Sequence, residues 1–146
     1  MINPTMAKFG HPQSLIAETT YWTVQLRPQQ PTLGALVLVC KEPATAFGQV
    51  SPEAFADLQK AVAGAESMLS RFVGYQKINY LMLMMVDPDV HFHVIPRYEG
   101  AREHGGVSFP DTGWPGPPAL SPAVALSDGQ RNALVAELKA LWAAVR

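Results

Sequence analysis

Apolar and polar residues alternate early in the chain and then give way to a continuous apolar run, and both patterns indicate strands. Residues 18–26 alternate, which is typical of a half-buried strand, and this segment ends where Arg27 meets a proline. Ala35 to Cys40 is apolar throughout and of strand length, which predicts a strand covered on both faces. A turn-rich segment separates the two, so they are expected to pair as a hairpin.

Two longer segments carry apolar residues at three- and four-residue spacing, which predicts amphipathic helices. The first begins at Ser51, whose side chain can cap free backbone N–H groups, and ends near Gly74. The second begins at Ser127 or Asp128 and runs toward Val145. Its apolar side is expected to pack on the sheet.

Extended segments and a long loop fill the region between the two helices. Tyr75 to Val86 predicts a long strand whose distal half, Leu81 to Val86, is apolar on both faces and is therefore expected to be central in the sheet. Asp87 to Pro88 breaks it, and Asp89 to Ile95 alternates again, so these strands are expected to lie antiparallel across a tight turn. Residues 98–122 are rich in glycine and proline and predict a long ordered loop.

The order strand, strand, helix, strand, strand, helix predicts an α+β fold with an antiparallel sheet. The chain has 146 residues, which is the size of one compact domain. Residues 1–146 are therefore assigned to a single domain, with a core at about 14–98, the loop 98–122, and a C-terminal helix at about 127–145.

Charge and hydrophobicity narrow the classes of function. Eleven basic and twelve acidic residues give a net charge of -1, so no global basic field is available to hold a nucleic-acid backbone. No apolar run approaches the roughly 20 residues of a membrane-spanning helix. Residues 1–15 lack the hydrophobic region of a secretory signal, which predicts a cytoplasmic location. The single cysteine, Cys40, excludes a disulfide within the chain and is expected to be a buried structural thiol.

Three titratable residues alternate along the strand predicted at Asp89 to Ile95. Because strand side chains alternate between faces, Asp89, His91 and His93 are expected to project together. Burying two imidazoles beside a carboxylate costs free energy, so a purely structural role requires a dedicated hydrogen-bond network. Two chemistries use such a pair. The imidazoles serve as metal ligands, or one attacks phosphorus while its neighbour supplies a positive hydrogen-bond donor to the phosphoryl oxygens.

The stretch from Val90 to Arg97, with the sequence VHFHVIPR, resembles the signature of the histidine-triad (HIT) family, and in particular its diadenosine polyphosphate hydrolase-like members. In that signature histidines alternate with hydrophobic residues along a strand. Weaker similarity extends over most of Glu18 to Arg97. The resemblance implies an antiparallel sheet of about five strands with two main helices, a homodimer whose subunits join their sheets, and catalysis that needs no cofactor.

The resemblance also implies roles for individual residues. His91 would attack the α-phosphate of a nucleotide or dinucleoside polyphosphate and form a nucleotidyl-histidine that water hydrolyses. His93 would contact the phosphate or orient the site, and Asn79 would lie near the nucleotide. Asp89 takes the place of the family's first histidine, which makes the triad incomplete. Arg97 would neutralise phosphate charge, although an ion pair at the sheet edge explains it equally well.

Two other classes of function stay open at this point. One is a nucleotide-binding module that keeps the pocket but has little or no activity, which the Asp89 substitution permits. The other is a metal-dependent hydrolase with Asp89, His91 and His93 as ligands, although no fourth ligand is evident at a recognisable spacing. His104 lies in a glycine-containing loop and is expected to be solvated.

Overall fold

The computed structural model describes residues 2–145, so Met1 and Arg146, at the ends of the predicted domain, lie outside the described residues. The fold is α+β, with a five-stranded antiparallel sheet and two main helices, as predicted. In chain order the elements are α1 Pro4–Lys8, β1 Leu15–Glu18, β2 Trp22–Leu26, β3 Gln29–Gln30, β4 Leu36–Cys40, a 3₁₀ turn at Phe47–Gln49, α2 Pro52–Val73, β5 Lys77–Leu81, β6 His91–Arg97, β7 Ala101–His104, β8 Val107–Pro110, β9 Val124–Ala125 and α3 Asp128–Ala144.

The strand order in the main sheet is β1-β2-β4-β6-β5, and every neighbouring pair is antiparallel. β2 and β4 form the predicted hairpin, with Trp22 opposite Cys40 and Leu26 opposite Leu36. Both strands are buried along their whole length. Two small sheets, β3 with β9 and β7 with β8, lie outside this sheet. The central position of β4 and β6 places residues 91–97 in the middle of the molecule.

The segment 18–26 departs from its prediction in two ways. It divides into the end of β1 and the whole of β2, because the chain turns between them and the Asp57 carboxylate accepts hydrogen bonds from the Thr19 hydroxyl at 2.6 Å and the Tyr21 N–H at 2.8 Å. β2 is also not half-buried. Its polar residue Gln25 is fully covered, and its amide donates to the Met6 carbonyl at 3.1 Å.

The cover over the polar side of β2 is the short helix α1, which the sequence analysis did not predict. The Asn3 side chain accepts a hydrogen bond from the Met6 N–H at 2.9 Å and so caps the helix. Met6 and Phe9 then pack against Val37 and Val39 of β4 and form a small core separate from the main one. The sheet is therefore covered on both faces, by α2 on one and by α1 on the other.

The two main helices begin and end where predicted. Ser51 caps α2 by accepting from the Ala54 N–H at 3.0 Å, and Gly74 ends it in a left-handed conformation with φ of 56°. Ser127 caps α3 in the same way. α3 packs on α2 and on β1, the edge strand of the main sheet, which agrees with the prediction that it packs on the sheet. No helix within residues 2–145 is long and apolar enough to cross a membrane.

The predicted strand 75–86 is wrong in its length and its position. The strand ends at Leu81, and β5 lies at the edge of the sheet. Residues 82–90 form a loop in place of a tight turn, with Met84 in a left-handed conformation at φ of 52° and Met85 84% exposed. The apolar side chains of this loop line a cavity. A loop with consecutive apolar residues has the same sequence pattern as a buried strand, which is why a strand was predicted here.

Residues 98–122 contain a hairpin that was predicted as loop. β7 and β8 pair with Ala101 opposite Pro110, and Phe109 between them is buried. The Tyr98 hydroxyl ties the hairpin to the sheet, because it accepts from the Leu33 N–H at 2.7 Å and donates to the Phe109 carbonyl at 2.8 Å. Elsewhere Cys40 is buried, as expected, and its burial raises the pKa of the thiol.

Candidate active site

His91 and His93 lie side by side on β6, on the sheet face that α1 covers. Their cross-strand partners on β4 are Val39 and Val37. The two imidazoles are nearly buried, at 2% and 6% exposed, and their ring centroids lie 5.2 Å apart in a T-shaped arrangement. The structure thus brings together the two histidines that the alternation selected, while the side chains between them face the main core.

A backbone hydrogen bond fixes the tautomer of His91. Its Nδ1 lies 2.7 Å from the carbonyl oxygen of Asp89. A carbonyl can only accept, so Nδ1 carries the hydrogen of the neutral ring and Nε2 keeps its lone pair. The ring is therefore held in the orientation and tautomer that a nucleophile requires.

His93 contacts a residue that sequence reasoning missed, Arg27 at the end of β2. The Arg27 Nε donates to Nδ1 of His93 at 3.4 Å. Burial lowers the pKa of His93 to about 4, with further lowering by the Arg27 guanidinium and by the neighbouring His91 ring, against a small opposing effect of Asp87. The ring is uncharged at neutral pH and carries its hydrogen on Nε2, so the positive charge expected of this imidazole is provided by the guanidinium.

Phe9 closes one side of the imidazole pair. Its ring centroid lies 6.0 Å from that of His91 and 5.7 Å from that of His93, with its edge toward the second ring. The aromatic ring keeps water from this side of both histidines. A sequence signal for this helix exists, because Asn3 followed by Pro4 is an N-cap followed by proline at the first helical position.

Asp89 precedes β6, and its carboxylate is bonded to α1. Oδ2 accepts from the Thr5 N–H at 3.2 Å and from the Thr5 hydroxyl at 2.9 Å, and the Asp89 N–H donates to that hydroxyl at 3.1 Å. The Asp89 carboxylate therefore faces α1, on the same side of the sheet as the two imidazoles, but within residues 2–145 its hydrogen bonds go to Thr5 and not to either ring. Within residues 2–145 no group of three metal-ligating side chains could hold an ion, so the metal alternative lacks its third ligand.

A cavity of about 460 Å³ opens above the two imidazoles, between α1, the end of β2 and the loop after β5. Two cations line it, Arg27 and Lys8, and the Lys8 Nζ lies 3.1 Å from the carboxylate of Asp87. Apolar lining comes from the exposed loop, with the residues Leu83, Met84, Met85 and Val86. The cavity thus combines cations and apolar side chains at a pair of histidines.

Asn79 and Arg97 do not line this cavity. Arg97 is buried and paired with Asp111, with the Nε to Oδ2 distance at 2.7 Å, which agrees with the ion-pair interpretation. It also donates to the Asn79 side chain at 2.8 Å and to the Gly116 carbonyl at 2.9 Å, beside a separate cavity of about 590 Å³. Their contact with a nucleotide stays a prediction. His104, expected to be solvated, binds the Glu137 carboxylate at 2.9 Å.

Comparison with known proteins shows the fold. No family model and no curated protein matches this chain. Solved structures do: a histidine-triad protein from Sinorhizobium meliloti has a TM-score of 0.73 at 21% identity, covering 94% of this chain and 93% of that one. One from Bradyrhizobium japonicum has a TM-score of 0.72 at 17% identity, covering 96% of each chain. Plasmodium falciparum diadenosine triphosphate hydrolase has a TM-score of 0.62 at 11% identity, covering 88% and 76%. The predicted resemblance to the histidine-triad fold is confirmed.

Proposed function

We propose that this chain is a histidine-triad enzyme that cleaves a phosphoanhydride or related bond at the α-phosphate of a nucleotide, with His91 as the nucleophile. The observation that carries the proposal is the state of the His91 ring. Its Nδ1 is bonded to the Asp89 carbonyl at 2.7 Å, and it lies at the base of a cavity that holds a second imidazole. A fixed, nearly buried imidazole with a free Nε2 is suited to attack phosphorus.

The reaction has two displacement steps. In the first, the His91 Nε2 lone pair forms a bond to the α-phosphorus while the bond from phosphorus to the leaving oxygen breaks, and that oxygen leaves with the bonding electrons. In the second, water attacks the same phosphorus, the P–N bond breaks, and the lone pair returns to Nε2 with a proton lost to solvent. Each displacement uses a nucleophile that the site or water supplies, so the proposed steps need no cofactor.

His93 and Arg27 stabilise the charge that develops on the phosphoryl oxygens. His93 Nε2–H is a neutral donor, because its Nδ1 accepts from Arg27 at 3.4 Å. The guanidinium adds the positive charge that the neutral ring lacks. Donors already fixed before the substrate arrives need no reorganisation during the reaction, which is why such electrostatic stabilisation is effective.

The mixed character of the cavity supports a nucleotide as the substrate. A nucleotide has an apolar, stackable base at one end and anionic phosphates at the other. The cavity is lined both by Phe9 and the apolar loop residues and by the cations Lys8 and Arg27. Its volume of about 460 Å³ lies within the range typical of small-molecule sites. The Plasmodium neighbour is a diadenosine triphosphate hydrolase, which favours a dinucleoside polyphosphate or a related conjugate as the substrate class.

We also propose a homodimer in which β5 of each subunit extends the sheet of the other. β5 pairs with β6 on one side, and within residues 2–145 no strand pairs with its other edge. An uncovered edge strand is a template for pairing with another chain. Light scattering coupled to size-exclusion chromatography should give twice the chain mass, and substitution of Ile78 by proline should give a monomer, because the N–H of Ile78 points away from β6. A wild-type mass of one chain would contradict this assembly.

Intact-protein mass spectrometry tests the chemistry. Wild type, His91→Asn and a control His104→Asn are mixed with adenylated and guanylated conjugates and quenched at alkaline pH, which preserves P–N bonds. We expect a mass increase of one nucleotidyl group in wild type and in the control, and none in His91→Asn. An adduct that persists in His91→Asn would place the nucleophile elsewhere. Tight nucleotide binding without adduct or turnover in wild type would instead support the binding-module alternative.

A further inference from the structure

We propose that Arg27 and Lys8 form a cationic arm that binds the phosphates beyond the α-phosphate, and that Asp87 restrains Lys8 until an anion arrives. This inference rests on the proposed function and deepens it, because it names the residues that bind the phosphates beyond the α-phosphate. It goes beyond the histidine motif, since both cations come from other elements of the fold. α1 contributes Lys8 and the end of β2 contributes Arg27.

The sheet register places Arg27 beside the imidazoles. His93 lies opposite Val37, and Val37 lies opposite Gln25 in the next strand. Arg27 follows Gln25 by two positions, so it projects from the same face as His93. Its NH1 donates to the Gln29 carbonyl at 2.7 Å and its Nε contacts His93, while NH2 makes no protein hydrogen bond within residues 2–145. The guanidinium is held in place with one nitrogen free for an anion.

Partial burial of Arg27 increases the free energy that its charge gains when an anion binds. Desolvation lowers the pKa of the Arg27 guanidinium, which means that the cation is partly removed from water without a carboxylate partner. A half-buried cation that lacks an acidic partner gains free energy when an anion binds it. Arg97 offers a contrast within the same chain, because Asp111 already neutralises it.

Lys8 differs from Arg27 in having a partner that an anion can displace. Its side chain is 52% exposed, and its Nζ contacts the Asp87 carboxylate, which is 14% exposed, at 3.1 Å. An ion pair that faces solvent on one side is weak, so a polyphosphate with several charges can compete for the lysine. Asp87 therefore orients Lys8 at the cavity rim and lowers the affinity of the empty site for small anions.

The positions of His91, Arg27 and Lys8 around the cavity predict where each phosphate of a substrate binds. With the α-phosphate at His91, the following phosphates lie toward Arg27 and Lys8, which flank the same cavity. Two cations against one carboxylate leave the arm with an excess positive charge. A linked polyphosphate offers one phosphate to the histidines and further phosphates to the two cations, whereas a single phosphate offers only one anionic group.

Calorimetric titration of the intact protein with inorganic tripolyphosphate, compared with orthophosphate, tests the arm without a nucleotide. Wild type is expected to bind tripolyphosphate at least about tenfold more tightly. Arg27→Gln should weaken tripolyphosphate binding by about tenfold, and Lys8→Gln by about threefold because that lysine is exposed. Asp87→Asn should tighten it by about threefold, because it frees Lys8. Lys139→Gln, an exposed lysine on α3, is the matched control and should change nothing.

Three results would contradict the inference that Arg27 and Lys8 form a cationic arm. They are an unchanged affinity of Arg27→Gln for tripolyphosphate, a weaker affinity of Asp87→Asn for tripolyphosphate, and an equal affinity of wild type for orthophosphate and tripolyphosphate. Thermal melting of each variant identifies misfolding, and if Arg27→Gln is unstable, Lys8→Gln and Asp87→Asn still decide the matter. The adduct experiment tests the proposed function independently of the arm. If the arm variants change tripolyphosphate binding as expected but wild type forms no nucleotidyl adduct, the proposed chemistry of His91 is wrong. If wild type forms the adduct but the arm variants bind tripolyphosphate normally, only the cationic arm is wrong.

Discussion

The contact between Asp89 and Thr5 is expected to hold α1 on the sheet, and its removal should destabilise the protein and widen the cavity. Asp89→Ala deletes the carboxylate that accepts from both the N–H and the hydroxyl of Thr5. Thr5 is fully buried and Asp89 is 7% exposed, so water cannot readily replace the lost acceptor. The helix that carries Phe9 and Lys8 would then be attached mainly by its apolar contacts.

The magnitude follows from the two donors left without a partner. Each buried donor that loses its acceptor costs about 1–3 kcal/mol, so Asp89→Ala should reduce the free energy of unfolding by about 2–6 kcal/mol. Thr5→Val removes the hydroxyl but keeps the backbone N–H bond to Oδ2, and should cost about 1–2 kcal/mol. The two residues share bonds, so the double variant should lose about 1 kcal/mol less than the sum of the single losses.

Urea denaturation of the wild type, both single variants and the double variant measures this coupling. Hydrogen exchange at the amides of residues 5–9 is a second readout, because protection there should fall in Asp89→Ala while α3 is unaffected. KM for the nucleotide substrate should rise, since Phe9 and Lys8 form one side of the cavity. Additive losses, or an Asp89→Ala variant as stable as wild type, would refute an anchoring role.

Three further predictions concern packing, pH and the thiol. Gly64→Ala should lower stability by about 1–2 kcal/mol in thermal melts, because its methyl would lie 2.6 Å from Cζ3 of Trp142, whereas Gly129→Ala, with nothing within 4 Å, should be neutral or stabilising. Burial lowers the pKa of His93 from 6.5 to about 4. As pH falls, the unfolded chain therefore binds a proton at this histidine before the folded chain does. The contribution of His93 to the free energy of unfolding is complete above pH 6.5 and is lost between pH 6.5 and 4. His93→Asn should flatten that loss by at most about 1.4 kcal/mol per pH unit in urea titrations. Burial raises the pKa of the Cys40 thiol, so iodoacetamide should label it in urea and not in native buffer. Rapid labelling in native buffer would contradict this prediction. A pH dependence of stability in His93→Asn equal to that of wild type would contradict the prediction for His93.

The parts of the fold that sequence alone predicted are those in which local pattern and environment agree. Ser51 and Gly74 bound α2 because capping chemistry acts within one turn of the helix end. β4 is apolar throughout because helices cover both faces of the sheet at that point. The histidines at 91 and 93 share a face because strand geometry allows nothing else.

The parts that were missed depend on contacts distant in sequence. α1 has five residues, too few to show a helical period, and it exists because Met6 and Phe9 pack on β4 and because Thr5 meets Asp89, 84 positions away. Arg27 carries no local signal of its role, which arises only when β2 lies two strands from β6. Residues 82–86 were predicted as a strand but form a loop that lines the cavity, because apolar side chains are found both in cavity walls and in the core.

The proposed role of His91 as nucleophile does not depend on which side chain stands at position 89, because a backbone atom orients the ring. The group that fixes the His91 tautomer is the backbone carbonyl of Asp89, at 2.7 Å from Nδ1. A backbone atom is present whatever the side chain at that position. The carboxylate is thus available for a different task, and it binds Thr5 and fixes the helix that brings Phe9 and Lys8 to the cavity. The side chain at position 89 therefore positions the helix beside the cavity, while the backbone at that position orients the His91 ring.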